Sequence, residues 1–310
     1  MSEILSTSEI SEADKARLSV HFHFSPHGTE EDFEKGRKLM RAGDFDIFAP
    51  ELPFLDDEGK KTFLKIVKGD TKTYQIVSDG HKKMGVPLSP TVSMFFASRK
   101  PIIFPEVSYE ESVRLGIPDL VTATPGHEFP DYASALTQHR GDIHIHANSA
   151  LDRERIVAER LPAMALELAN AHPRLREKEE IRVLATIGIR HTPLFKSLRD
   201  DGFNVTRSFN GSPVIHTYFD QAVREVMFYG DVSDDTLKKS TWFQIAWPGI
   251  RQEISANGNM LDTMRFMRSV PEAMDEEMAQ RMLELYRDRQ AEEYLDLADA
   301  LLARIGQNES

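Results

Sequence analysis

The segment "IRVLATIG", residues 181 to 188, constrains the fold more than any other stretch of this chain. It is a near-continuous apolar run, which is typical of a central strand buried on both faces of a parallel sheet. The segments "FDIFAPEL", which ends its strand at Glu51, and "FNVTRSF" predict two more strands. We therefore predict an α/β fold with a central, mostly parallel or mixed sheet flanked by helices.

The first predicted strand, "RLSVHFHF", alternates apolar and polar residues and so places His21 and His23 on the face opposite its apolar side chains. "SPHG" breaks this strand, and a helix then leads to "FDIFAPEL". This order predicts a βαβ unit with parallel strands and a right-handed crossover. Further strands are expected at "KPIIFPE", residues 100 to 106, and at "DIHIH", residues 142 to 146.

The rest of the chain is predicted to be mainly helical. A helix is expected from Ser149 to about His172, with a kink at Pro162. From Pro271 to the C-terminus, apolar residues recur at helical spacing, which favours a core stripe: Met274, Met278, Met282, Leu285, Leu295, Ala298 and Leu302. We predict a flexible tail over 1–15 and one α/β domain over 16–310, in which 270–305 form a C-terminal helical cap.

Composition excludes several classes of function. The chain has no cysteine, which rules out thiol catalysis, disulfides and zinc knuckles. Its net charge of −12 argues against a nucleic-acid partner. No stretch approaches the roughly 18 apolar residues of a membrane span, and the polar N-terminus lacks a signal-peptide pattern. We expect a cytoplasmic protein without nucleic-acid or membrane partners, and a homo-oligomer stays open.

Three polar residues are expected at the carboxyl ends of strands, where open parallel sheets bind ligands. His23 ends the first strand, Glu51 the second, and His191 follows "IRVLATIG". Two imidazoles and a carboxylate suit a divalent metal such as Mn, Co or Zn, or acid–base chemistry without a metal. His27 lies nearby in the sequence. Arg153, expected in a first helical turn where the dipole disfavours a cation, predicts a nearby carboxylate such as Glu51 or a bound anion.

Two segments leave alternatives open. His144 and His146 are either further ligands or one polar face of a strand. "STWFQIAWPGI" is a packed flap or a loop over the sheet. Its Trp242, Phe243 and Trp247 either pack in the core, close a cleft above His23 and His191, or pair with a second subunit.

Several motifs together resemble one superfamily, which joins TraB/TIKI-type proteins, ChaN-like haem-binding proteins and erythromycin esterases. "VHFHFSPH" is similar to its opening Gly-Glu-x-His-Asp-x-Pro-x-His segment, with His23 and His27 on the two histidines. "DIFAPE" matches the strand that ends in the family's Glu, "KPIIF" its next strand, "LDRERIVAERL" its Arg helix, and "TIGIRHTPLF" its second Gly-x-x-His segment. The order and spacing agree over about residues 18 to 207, although Val20 and His21 replace the family's first Gly and Glu.

The resemblance implies a hydrolase of an ester or amide bond acting on a small molecule or a peptide. It implies catalytic roles for His23, Glu51, His191, His27 and Arg153, with Arg153 steadying an anion. Any metal would be held by His21, His23, Glu51 and His191. The alternative is a ChaN-like binder of haem or another small ligand, with a histidine as axial ligand. A second resemblance, to PHP-type metallophosphoesterases, supplies a third candidate function and rests on "VHFHFSPHGTEED", but "FAPELPF" lacks the Asp-His pair expected there.

Overall fold

A computed structural model describes residues 9–25, 35, 38–39, 42, 44–52, 56–83, 100–115, 129–188, 191–209, 216–256 and 260–308. The chain divides into two compact units. The sheet unit comprises Met1–Ile117 and Leu151–Val214, and the helical unit comprises Pro118–Ala150 and Ile215–Ser310. Because compact units need not fold independently, one α/β domain over 16–310 stays a prediction.

The sheet unit contains a parallel sheet and the helices around it. Its strands are β1 (Leu18–Ser25), β2 (Ile47–Pro50), β3 (Ile181–Gly188) and β4 (Asn204–Phe209), in the order β2-β3-β1-β4. Its helices are α1 (Glu12–Arg17), α2 (Asp57–Val67), α3 (Thr71–Lys83), α4 (Tyr109–Leu115), the second part of α5 (Tyr132–Ala171), α6 (Pro173–Arg176) and α7 (Thr192–Asp200). The predicted α/β class is confirmed, and β3 is central as its apolar sequence indicates.

Strand order differs in detail from the simplest βαβ arrangement, since β3 lies between β1 and β2. The strand expected over 100–106 forms one parallel bridge beside β2, between Phe48 and Ile102. The Phe48 N–H donates to the Pro101 carbonyl at 2.9 Å, and the Ile103 N–H donates to the Phe48 carbonyl at 3.0 Å. Pro101 and Pro105 have no N–H to give to a ladder, which keeps this segment from extending as a strand.

The pleat of β1 sends alternate side chains to two separate cores. Phe22 and Phe24 are fully buried in a cluster with Val157 of α5 and Leu194 of α7. On the other face of the sheet, Phe48 and Leu184 pack with residues of α2. His21 and His23 share this second face, because they alternate with the phenylalanines and lie opposite Leu184 and Thr186 in the register.

Helix α1 occupies part of the tail expected over 1–15. The Ser11 side chain caps it by accepting a hydrogen bond from the Asp14 N–H. Ile10 is only 7% exposed and joins the apolar cluster around Phe22. This local cap and one buried side chain stabilise the helix despite the polar composition of the segment, and flexibility of the tail stays a prediction. Residues 1–8 lie outside the described part of the chain.

The helical unit contains the first part of α5 with α8 (Tyr218–Tyr229), α9 (Asp234–Ala256), α10 (Met260–Glu272), α11 (Glu276–Arg287) and α12 (Ala291–Asn308). The strand expected over 142–146 is wrong, and so is a helix start at Ser149, because α5 begins at Tyr132. Ala135, His139, Ile143, Ala147 and Ala150 are buried, which is helical spacing. Over 142–146 isoleucine and histidine alternate, which imitates the two-residue repeat of a strand although the segment is helical.

The tryptophan segment lies within α9 and is not a flap or loop. Phe243 is buried, and Trp242 and Trp247 pack against the same apolar cluster of the helical unit, so the core-packing alternative is confirmed for this segment. The Trp242 indole N–H also donates to the Tyr132 hydroxyl at 2.7 Å. Closure over His23 and His191, or pairing with a second subunit, stays a prediction.

The C-terminal apolar stripe is largely confirmed. Met274, Met278, Met282 and Leu285 are all buried. Leu295 is the exception at 51% exposed, because α12 instead turns Tyr294, Ala298, Leu301 and Ile305 inward. Searched over the described residues, the chain contains no helix with the length and apolar character needed to span a membrane.

Candidate active site

The structure brings together Glu51, Arg153 and His191, three of the residues predicted from the sequence. Glu51 follows β2, His191 follows β3, and Arg153 lies on α5. Arg153 Nη2 donates to Glu51 Oε1 at 2.6 Å and lies 3.0 Å from His191 Nε2. His191 Nε2 is also 3.1 Å from Glu51 Oε1. The predicted pairing of Arg153 with Glu51 is therefore confirmed.

Two further carboxylates complete this group. Glu106 contacts Arg153, with 3.0 Å between its Oε2 and Arg153 Nε, and Glu154 Oε1 lies 3.0 Å from His191 Nδ1. We call Glu51, Glu106, Arg153, Glu154 and His191 the carboxylate cluster. All five side chains are at most 10% exposed.

Sequence reasoning did not single out Glu106 or Glu154. A signal for Glu106 is present, because "IFAPE" and "IIFPE" both place a Pro-Glu pair after an apolar run. The two runs lie side by side through Phe48 and Ile102, which brings both glutamates to the same end of the sheet. Glu154 carries no such signal, since its role depends on how α5 packs against the start of α7.

Local backbone geometry fixes Glu51 and His191. The Glu51 N–H donates to the Thr186 carbonyl at 2.8 Å, and its Oε2 accepts from the Gly188 N–H. His191 is the N-cap of α7. Its side chain makes no capping bond, because both ring nitrogens face carboxylates.

Arg153 is not in a first helical turn, as the sequence suggested, because α5 begins at Tyr132. The helix dipole therefore does not act on it, and its carboxylate neighbours alone account for its charge. Arg155, two residues on, is 71% exposed and lies 3.8 Å from Asp152. One arginine of this pair is thus buried in the cluster while the other is on the surface.

Burial and neighbouring charges shift several pKa values in the cluster. Burial raises the pKa of Glu106 above its ordinary value, although Arg153 opposes this. Burial also raises the pKa of Glu154, against the hydrogen bond from His191. For His191, burial lowers the pKa, but the Glu51 charge and the hydrogen bonds to Glu154 and Glu51 outweigh it and raise the pKa to about 9.

The protonation state of His191 decides what the cluster can do. With a pKa near 9, the imidazolium donates from Nδ1 to Glu154 and from Nε2 to Glu51 at neutral pH. In this state Arg153 Nη2 and His191 Nε2 are both hydrogen-bond donors although they lie 3.0 Å apart, and both donate to Glu51 Oε1. Loss of the Nε2 proton would turn this contact into a hydrogen bond from Arg153. The neutral imidazole therefore has a hydrogen-bond donor for its Nε2 in this geometry.

The Arg153 guanidinium contacts Glu51, Glu106 and His191. Within the part of the chain that the structure describes, no group of three or more His, Asp or Glu residues is arranged to hold a metal ion. The cation of the carboxylate cluster is thus a protein side chain. Metal ligation by His21, His23, Glu51 and His191 stays a prediction.

His21 and His23 belong to a different hydrogen-bonded group on the sheet. The Ser208 hydroxyl lies 2.8 Å from His21 Nε2 and 3.0 Å from His23 Nδ1, and His21 Nδ1 is 2.9 Å from the Thr206 hydroxyl. Burial lowers the pKa of His21. Both rings project from the sheet face opposite Phe22, whereas α5 and α7, which carry Arg153 and His191, pack on the Phe22 face. The catalytic role expected for His27 falls outside the described residues.

His144 and His146 lie in the helical unit, on α5, and not on a strand. His144 Nε2 is 3.1 Å from Asp231 Oδ1, and Asp231 also binds Arg140 at 2.9 Å. His146 is buried, with its ring edge-to-face on Phe219 at 5.2 Å between centroids. These contacts account for His144 as a partly buried hydrogen-bond partner of Asp231 and for His146 as a packed aromatic.

A pocket of about 270 Å³ borders the cluster through Glu154. Its wall comes from the N-terminal part of α7 and one face of α5: Leu151, Glu154, Arg155, Ala158, Glu159, Pro193, Leu194, Ser197 and Asp201. Glu154 thus links the His191 imidazole to a space that a small molecule or water can enter.

Comparison with known proteins found no similarity: no protein-family model, no curated protein and no solved structure matches this chain. The resemblance to the TraB/TIKI, ChaN-like and erythromycin-esterase superfamily therefore rests on the sequence motifs alone.

Proposed function

We propose that the chain is a hydrolase of ester or amide bonds in which Glu51 and His191 form the proton-transferring pair. One observation carries this proposal: the His191 imidazole is buried between the carboxylates of Glu51 and Glu154, at the end of the sheet where parallel folds bind ligands. A carboxylate that orients one imidazole nitrogen while the other exchanges a proton is the recurring arrangement of acid–base sites.

Each residue of the cluster has a proposed role. Glu51 accepts the proton of the attacking water, and the His191 imidazolium donates its Nε2 proton to the leaving group; the proton on Glu51 then restores the imidazolium. Glu154 holds the imidazole by its Nδ1 proton, and Arg153 neutralises the negative charge that develops on the substrate. The energetic argument supports a function, since burying three carboxylates, a guanidinium and an imidazole costs more than an apolar core of the same volume.

The test is hydrolysis of chromogenic ester, amide and phosphoester panels by the full chain. We expect turnover of esters or amides, reduced about 100- to 10,000-fold in Glu51→Gln and in His191→Gln. Glu167→Gln is the matched control, because Glu167 is exposed on the same helix away from the pocket, and should keep full activity. Undiminished turnover in folded Glu51→Gln and His191→Gln would overturn the proposal, as would a wild-type protein inactive on every panel.

The same assay tests the PHP-like alternative, and a haem titration tests the ChaN-like alternative. Turnover of phosphoesters that depends on added Mn, Co or Zn would favour the PHP-like alternative and metal ligation by His21 and His23. A sharp Soret band on haem titration, lost in a histidine variant and accompanied by no turnover, would favour the ChaN-like binder.

A further inference from the structure

The helical unit contains a pocket that the proposed function does not use. It has a volume of about 780 Å³, within the range typical of small-molecule sites. Its walls are mainly apolar and aromatic: Phe129, Pro130, Pro248, Leu283, Leu285, Tyr286, Ala291, Tyr294 and Leu295. Four of these residues are exposed to solvent, including Tyr286 at 40% and Leu295 at 51% exposed.

The charged residues of the lining are both arginines, Arg287 and Arg289. Arg287 is already neutralised, since its Nε donates to Asp288 Oδ1 at 2.8 Å and its Nη1 to the Pro130 carbonyl at 3.0 Å. Arg289, in contrast, makes no ion pair with any residue that the structure describes. In a chain of net charge −12, a pocket lined by arginines and no acid stands out as a place for an anion.

Backbone conformation gives a second, independent reason to single out Arg289. It has φ of 56°, and elsewhere in the described ranges positive φ occurs at glycines. It lies two residues beyond the end of α11, where its N–H donates to the Tyr286 carbonyl at 3.2 Å and the Gln290 N–H donates to the Leu285 carbonyl at 2.9 Å. Glycine is the usual residue in this position because it adopts positive φ without steric cost. An arginine here is strained, and strain of this kind accumulates at ligand sites.

We propose that this pocket binds a small amphipathic carboxylate, an acid with an apolar chain. The chain would lie against Leu283, Leu285 and Leu295, and the carboxylate would be held by Arg289 at the mouth. An arginine in place of glycine at a left-handed position is then explained by its ligand.

The probe is dodecanoate, titrated by calorimetry into the full-length protein, with dodecan-1-ol and acetate as probes of the chain and the charge alone. We expect dodecanoate to bind at one site per chain, and both comparison compounds to bind at least about tenfold more weakly. Equal affinity for dodecan-1-ol, or no binding of dodecanoate, would overturn the proposal.

Arg289→Gly separates the ligand role from a structural one. A ligand role predicts weaker binding with no loss of stability, whereas a structural role predicts a lower melting temperature. The substitution should weaken dodecanoate binding about tenfold while leaving the melting temperature unchanged or raised by about 2 °C. Arg289→Asn, which also tolerates positive φ, is the second variant, and the exposed Arg281→Gln on α11 is the control that should bind normally. Undiminished affinity in both Arg289 variants would overturn the assignment.

A second copy of the chain is the other occupant that the experiment identifies. Leu295→Asp places a negative charge on an exposed part of the wall and should abolish dodecanoate binding without unfolding the protein. If this variant instead dissociates a dimer, measured by sedimentation, and dodecanoate never binds, the surface belongs to a protein interface and the proposal is wrong.

Discussion

Replacement of Arg153 by methionine should destabilise the protein more than any exposed arginine replacement. The guanidinium is 4% exposed and lies against Glu51 at 2.6 Å and Glu106 at 3.0 Å. Removing it leaves buried carboxylates without a partner, which costs about 3–5 kcal/mol. At about 2–4 °C per kcal/mol, the melting temperature should fall by about 6–20 °C. Arg155→Met is the matched control and should change stability by less than about 0.5 kcal/mol.

A second substitution identifies the cause. Burial already raises the pKa of Glu106, and loss of Arg153 removes the group that opposes this. Arg153→Met/Glu106→Gln should therefore recover at least about 1 kcal/mol of the loss in a double-mutant cycle. A carboxyl whose folded pKa is raised costs stability as the pH rises through that pKa, so the difference in unfolding free energy between Arg153→Met and wild type should become smaller as the pH falls. Denaturant unfolding measures both the recovery in the double variant and the pH dependence of the stability difference. A gap that is independent of pH, with no recovery in the double variant, would refute the buried-charge explanation.

Three further predictions concern pH and backbone conformation. Because the pKa of His191 is raised to about 9, its stabilising contribution is complete below its ordinary pKa and lost as the pH rises through 9; unfolding free energies should fall by up to about 3 kcal/mol across that window, and His191→Gln should not show the decrease. The hydrogen bond from Arg160 lowers the pKa of Glu111 to about 2, so the stabilising contribution of Glu111 should be lost as the pH falls from its ordinary pKa to about 2. This loss should be about 1 kcal/mol after allowing for solvent screening, and the unfolding free energy of Glu111→Gln should depend less on pH in this range. Gly202→Ala should cost about 1 kcal/mol because φ is +91° there, whereas Gly141→Ala, in the interior of α5 with open space around it, should gain about 0.5–1 kcal/mol; the same sign for both in thermal unfolding would contradict this.

The sequence predicted the sheet unit better than the helical unit. The apolar run of β3 and the alternation of β1 each depend on neighbouring side chains in one strand, so a short window is enough to identify them. The segment 142–146 misled the same reasoning, because Ile143 is buried and Ile145 is 52% exposed within one helix. A window of five residues cannot separate a period of 2 from a period of 3.6.

For the candidate site, the sequence predicted the residues at strand ends and the pairing of Arg153 with Glu51, but not the further carboxylates Glu106 and Glu154. Glu51 and His191 meet because parallel strands deliver their carboxyl ends to one edge. The separation of His23 from them follows from the pleat, since residues at the same edge can still project from opposite faces. Glu154 depends on the packing of α5 against α7, which no local pattern encodes.

The protonation of His191 tests the central claim most directly, since a proton-transferring pair with Glu51 requires an imidazolium held between two carboxylates. Nuclear magnetic resonance of the protein labelled with ¹⁵N-histidine reports both ring nitrogens, and His191→Gln assigns the signal. We predict two protonated nitrogens at neutral pH and a titration with pKa about 9. A neutral ring at neutral pH, titrating at or below the ordinary histidine value of about 6.5, would contradict the account.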